Sequence, residues 1–112
     1  MRILVVENNP TITQAMERAG EQFCVDCASD GWDAIEKLEN ERYDAIVIDT
    51  DLPRHSGFGV LTYLREVSDD LDNVIVMTSS DRDEMQRRLQ VEVVAKSDDD
   101  LTTVVRRLAR RS

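Results

Sequence analysis

Three stretches of this chain are short, continuous apolar runs: Ile3 to Val6, Ala45 to Ile48, and Val74 onward to Thr78. A strand with one solvated face alternates apolar and polar residues, so runs without alternation belong to strands buried on both faces. Such strands occur in parallel sheets covered by helices on either side. Each run also ends abruptly in polar residues: Glu7-Asn8-Asn9, Asp49-Thr50-Asp51 and Ser79-Ser80-Asp81.

The segments between the runs alternate accordingly. Arg2 to Val6 is a first strand, and Asn9-Pro10 turns the chain into a helix whose stripe is Ile12, Ala15, Met16 and Ala19, stopped by Gly20. A second strand spans about Phe23 to Ala28. Ser29-Asp30-Gly31 opens a second helix with Gly31, Ala34, Ile35 and Leu38 inward. After the third strand, Pro53 and Gly57 turn the chain into a third helix marked by Phe58, Val60, Leu61, Leu64 and Val67. Val74 to Thr78 is the fourth strand, and Ser79-Ser80-Asp81 caps a short, weakly docked helix in which only Met85 and Leu89 are apolar. Val91 to Ala95 is the fifth strand, and Leu101, Val104, Val105 and Leu108 stripe a last helix. Five strand-helix alternations give an α/β fold with a parallel sheet, and 112 residues fit one domain, 1–112, with a core that needs no disulfide or metal.

Charge narrows the function classes. A net charge of −9 argues against a duplex-binding surface, which needs clustered Lys and Arg; no nucleic-acid partner is expected. Arg106, Arg107, Arg110 and Arg111 complement the last turn of a helix. The opening apolar run is too short for a signal-peptide core, which predicts a cytoplasmic protein without a membrane partner. Cys24 and Cys27 form a CxxC, but on a strand residues three apart point to opposite faces and do not chelate one ion. They read as two small apolar side chains in a reducing compartment.

In open sheets of this kind ligands gather beyond the carboxyl ends of the strands. That rim receives Glu7 and Asn8 after the first strand, Asp49 after the third, Thr78 after the fourth and Lys96 after the fifth. Acids and amide oxygens are hard donors suited to Mg²⁺, and a lysine with a hydroxyl suits phosphoryl oxygens. The inventory fits phosphoryl transfer to a carboxylate, in which positioning and charge neutralisation dominate. Asp49 is the natural nucleophile, Glu7 and Asn8 the metal side, Lys96 and Thr78 the phosphoryl side. His55 and Ser56 lie with Asp51 in one short turn and do not converge as a hydrolytic triad.

From RILVVENNP through VIDTDLPRHSGFGVL and VIVMTSS to VVAKS and the final helix, the chain resembles the receiver domain of bacterial two-component response regulators. The resemblance implies a doubly wound, flavodoxin-like, five-stranded parallel sheet of order 2-1-3-4-5. It implies phosphorylation of Asp49 by a histidine kinase or phosphotransfer protein, Mg²⁺ dependence, and Asp51 supplying a backbone carbonyl to the metal. It further implies a signalling protein rather than an enzyme, a monomer or weak dimer, with output through a downstream protein partner.

Four positions depart from the family pattern. Asn8 stands where an aspartate usually ligates Mg²⁺, which predicts weak metal binding. Val93 replaces the aromatic three residues before the lysine and has no ring to swing inward. Ser97 follows Lys96 where proline commonly takes a cis bond; cis before serine costs about 2.5 to 4 kcal/mol, so a trans bond is expected. The span from Thr78 to Lys96 is short by about one helical turn, reducing the fourth helix. Two readings follow: a phosphorylated receiver signalling by an altered route, or a pseudo-receiver that binds a partner without phosphorylation. Asp49-Thr50-Asp51 also resembles the D-x-D of haloacid-dehalogenase-like phosphatases, but there the motif ends the first strand of a larger chain.

Overall fold

The computed structural model describes residues 2–7, 24–52, 56–68 and 71–95. Five strands form one sheet: β1 (Arg2–Val6), β2 (Cys24–Ala28), β3 (Ala45–Asp49), β4 (Val74–Thr78) and β5 (Glu92–Ala95). All pairings are parallel and the spatial order is β2-β1-β3-β4-β5. This is the doubly wound, flavodoxin-like order, with the chain reversing direction across the sheet at β1 and β3. Three helices lie between the described strands: α1 (Gly31–Asn40), α2 (Ser56–Val67) and α3 (Arg82–Leu89). The helices expected around Ile12 to Ala19 and Leu101 to Leu108 fall outside the described residues.

Alternation along the strands sends side chains to two buried faces. Leu4, Val6, Ile46, Ile48, Val74, Val76 and Val93 face α1, α2 and α3, meeting Ala34, Val60, Leu61, Leu64 and Met85. Ile3, Val5, Ala45, Val47, Ile75, Met77 and Val94 form the second cluster on the other face. Both sets are buried, which accounts for the unbroken apolar runs. Burial of each Val, Leu or Ile contributes about 1.5 to 3 kcal/mol relative to exposure.

The helix ends follow local chemistry. Asp30 caps α1, its carboxylate accepting from the Asp33 N–H at 2.8 Å, and Lys37 pairs with Asp33 one turn away. Asp81, the last residue of the expected capping triplet, caps α3 by accepting from the Glu84 N–H at 3.1 Å. The helix α3 is short, as expected, with Met85 its buried anchor. Gln90 closes it in the left-handed conformation, φ 56° and ψ 36°.

Three expectations need correction. The third helix of the sequence begins at Ser56, not near Phe58, because Gly57 enters the helix instead of ending a turn. Val67, the last residue of α2, is 60% exposed, whereas Val60 and Leu64 earlier on the same helix are buried. Cys24 and Cys27 are free thiols on the edge strand β2, the first exposed and the second half-buried. Val91 precedes β5 instead of opening it, though it is buried.

Candidate functional site

The register fixes which residues share the carboxyl edge. Val6 lies opposite Ile48, so the next residues, Glu7 and Asp49, emerge at one level on neighbouring strands. Asp49 lies opposite Met77, and Thr78 follows one residue further along β4. Thr78 pairs with Ala95, the last residue of β5. Lys96, Asn8, Pro53 and His55 lie outside the described residues, as does the Lys96–Ser97 bond.

Glu7 and Asp49 are each only 2% exposed, and Thr78 is fully buried. Withdrawing two carboxylates from water on neighbouring strands costs stability unless other groups meet them, and this marks the edge as the candidate site. The backbone N–H of Glu7 donates to the Ala28 carbonyl at 2.9 Å, carrying the β1–β2 ladder one residue past the strand. Asp49 is steadied at its side chain: Oδ1 accepts from the Asp51 N–H at 2.9 Å. Thr50 donates twice to the Met77 carbonyl, from its N–H at 3.0 Å and its hydroxyl at 3.2 Å. The loop after β3 is thereby held against β4.

Gly57 was legible as a turn residue, but its stronger constraint is packing. A Cβ there would lie 2.5 Å from the Asp49 carbonyl oxygen and 3.2 Å from Ile48 Cγ2. Only glycine lets α2 come this close to the acid-bearing end of β3. The signal available in the sequence was the glycine itself, eight residues after Asp49 at the start of an amphipathic segment.

The Asp51 side chain is a contact that the sequence does not reveal. Its residue is exposed, and Oδ2 accepts from the Ser79 N–H at 3.2 Å, joining the loops after β3 and β4. Thr78 Oγ1 accepts from the Ser80 N–H at 3.0 Å, which leaves the hydroxyl proton to be donated elsewhere. Val93 is fully buried in the core on β5, and its N–H donates to Gln86 Oε1 at 3.4 Å.

Mg²⁺ accepts one or two carboxylates and keeps several waters, so the buried Glu7 and Asp49 fit it as a donor pair. Among the described residues no three His, Cys, Asp or Glu groups form a metal-holding cluster. The Asp51 carboxylate turns to Ser79, which leaves the backbone of Asp51 as its fitting contribution to a cation.

A parallel sheet in this order, with buried acids gathered beyond β1 and β3, defines a doubly wound domain whose chemistry lies outside the strands' carboxyl ends. More specifically, residues 3–101 match the response regulator receiver domain, and the chain belongs to that family of two-component signalling proteins. Response regulator MprA of Mycobacterium avium is 35% identical over 83 residues, covering 72% of this chain and 36% of that protein. MprA of Mycobacterium leprae shows the same identity and coverage. The chain thus matches little more than a third of the length of these curated relatives. Among solved structures, the receiver domain of Francisella response regulator 1452 superposes with a TM-score of 0.82 at 22% identity, covering 97% of this chain and 93% of that one. TrrA of Thermotoga maritima, solved in complex with Mg²⁺ and BeF, gives 0.76 at 28% identity, covering 96% and 97%. No helix among the described residues is long and apolar enough to cross a membrane.

Proposed function

We propose that this receiver accepts a phosphoryl group on Asp49 from a phosphohistidine of a histidine kinase or phosphotransfer protein. The observation carrying this reading is the buried Asp49 carboxylate, level with Glu7 and one strand from the Thr78 hydroxyl. An Asp49 oxygen attacks phosphorus, the N–P bond breaks, and the imidazole nitrogen keeps the bonding pair. The Asp51 N–H on Oδ1 orients the carboxylate for that attack. Thr78 donates a hydrogen bond to a phosphoryl oxygen, and Lys96 neutralises another. Glu7, Asn8, Asp49 and the Asp51 carbonyl would hold Mg²⁺, which when bound would offset charge on the transferring group. Asn8 brings no charge, so the metal binds weakly. Residues 1–112 act as a single receiver domain in the cytoplasm, as a monomer or weak dimer, with output through a protein partner.

The test is beryllofluoride with Mg²⁺, followed by amide NMR. The reading predicts saturable shifts at Asp49, Thr78 and Ser79, absent in Asp49→Ala. Asn8→Asp should lower the Mg²⁺ concentration needed; an unchanged titration removes Asn8 from the metal site.

The pseudo-receiver reading is favoured by Val93, an aliphatic side chain fully buried where the family carries its aromatic switch. In it the folded surface binds its partner with Asp49 unmodified, and beryllofluoride leaves every shift in place.

A further inference from the structure

A chain of three hydrogen bonds runs from the acceptor to Thr78 across two loops. The Asp51 N–H donates to Asp49 Oδ1 at 2.9 Å, the Ser79 N–H donates to Asp51 Oδ2 at 3.2 Å, and the Ser80 N–H donates to Thr78 Oγ1 at 3.0 Å. The middle link joins residues 28 apart in sequence, so it is a tertiary contact and not a turn motif. It is charge-assisted, with an anionic acceptor, and stronger than a neutral bond of the same length. Its two neighbours are each local, between residues two apart. They orient the Asp49 and Thr78 side chains at their own strand ends; Thr50 ties the loop after β3 to Met77 within β4, and the Asp51–Ser79 bond carries that tie past the end of the strand.

We propose that the Asp51 carboxylate is a positioning residue: it latches the backbone just past β4 to the loop after β3 and so steadies Ser80, whose N–H fixes the orientation of the Thr78 hydroxyl at the end of its strand. The role belongs to the side chain and is separate from the backbone carbonyl assigned to the metal. Any residue at 51 supplies that carbonyl, whereas the latch needs an acceptor on a short side chain. Asparagine retains one without the charge, and alanine has none. Val93 lies inside the core on β5, so it does not hold this loop from the surface. The inference rests on the phosphoacceptor reading only for its effect on rate; the latch itself exists in the unmodified protein.

Two measurements on the wild-type chain, Asp51→Asn and Asp51→Ala decide it. The first is hydrogen exchange and chemical shift of the Ser79 amide without phosphodonor. Loss of one charge-assisted bond predicts exchange about tenfold faster in Asp51→Ala, with an upfield amide shift, and within about threefold of wild type in Asp51→Asn. The second is the rate of Asp49 phosphorylation by acetyl phosphate at saturating Mg²⁺, where an Asp49 oxygen attacks phosphorus, the P–O bond to the acetyl group breaks and acetate leaves. The rate should fall about three- to tenfold in Asp51→Ala and recover in Asp51→Asn. Equal Ser79 exchange in all three proteins overturns the latch. A rate in Asp51→Asn as low as in Asp51→Ala also overturns it, assigning the effect to charge. If wild type takes no phosphoryl group, the acceptor reading falls and the exchange contrast alone decides: a tenfold difference supports the latch and equality refutes it.

Discussion

The two ends of the same sheet use acids in opposite ways. At the amino edge, Arg2 bonds Asp26 at 3.0 Å and Glu41 at 2.6 Å while stacking over Tyr43 at 5.3 Å, and the Tyr43 hydroxyl donates to Asp26 at 2.7 Å. The Arg2 backbone N–H takes Asp44 as well, at 2.8 Å. These acids stay hydrated: the Asp26 and Glu41 side chains are 36% and 49% exposed. At the carboxyl edge Glu7 and Asp49 are withdrawn from water on adjacent strands. The amino edge is arranged for folding, with opposite charges met in solvent where desolvation is slight. The carboxyl edge withdraws two acids from water on neighbouring strands, an arrangement that suits a cation and gives up stability.

The largest effect that would sharpen this contrast comes from the corner behind Asp49. Gly57→Val should destabilise by about 3 kcal/mol in urea unfolding, because its Cβ meets backbone that cannot yield. The loss should include phosphoacceptance, since the atom struck is the Asp49 carbonyl. A midpoint within error of wild type would show that α2 is not closely fitted there.

Next comes neutralisation at each edge. Asp49→Asn keeps the acceptor for the Asp51 N–H and removes one of two adjacent buried charges, so without Mg²⁺ it should stabilise by about 1 kcal/mol. Asp26→Asn should instead lower stability, because it weakens contacts to both Arg2 and Tyr43. Equal signs would break the contrast between edges. Gln90→Gly relieves a left-handed residue at the end of α3 and should raise stability by about 1 kcal/mol, leaving the acceptor chemistry unchanged.

The smallest effect is in pH. Burial first, and then the hydrogen bond to Asp26, push the Tyr43 phenol up to about 12 from 10.0. A raised folded value means that this group's stabilisation is complete below pH 10 and is lost as pH rises through about 12. Ultraviolet titration should show that late phenolate step, and Tyr43→Phe should abolish it. A step near 10 would mean that the amino-edge cluster does not form.

Legibility in the sequence followed the same division. The bounds of β1 and β4 were readable because unbroken apolar runs stop at polar residues, and the parallel sheet followed from them. Asp49, Glu7 and Thr78 were readable as rim residues because strand ends dictate their position. Exposure at Val67 was not, since periodicity says which way a residue points but not whether anything covers it at the end of a helix. The Arg2 cluster was missed because its acids come from β2, the end of α1 and the segment before β3. The Asp51–Ser79 bond was missed for a similar reason: it joins loops that only the β3–β4 register brings together.

The central claim, that the buried Asp49 is the phosphoacceptor, is tested most directly by intact-mass spectrometry after incubation with acetyl phosphate and saturating Mg²⁺. The account predicts a gain of one phosphoryl group in the wild-type chain, located at Asp49, and none in Asp49→Ala. No gain in wild type, or the same gain in Asp49→Ala, would contradict it.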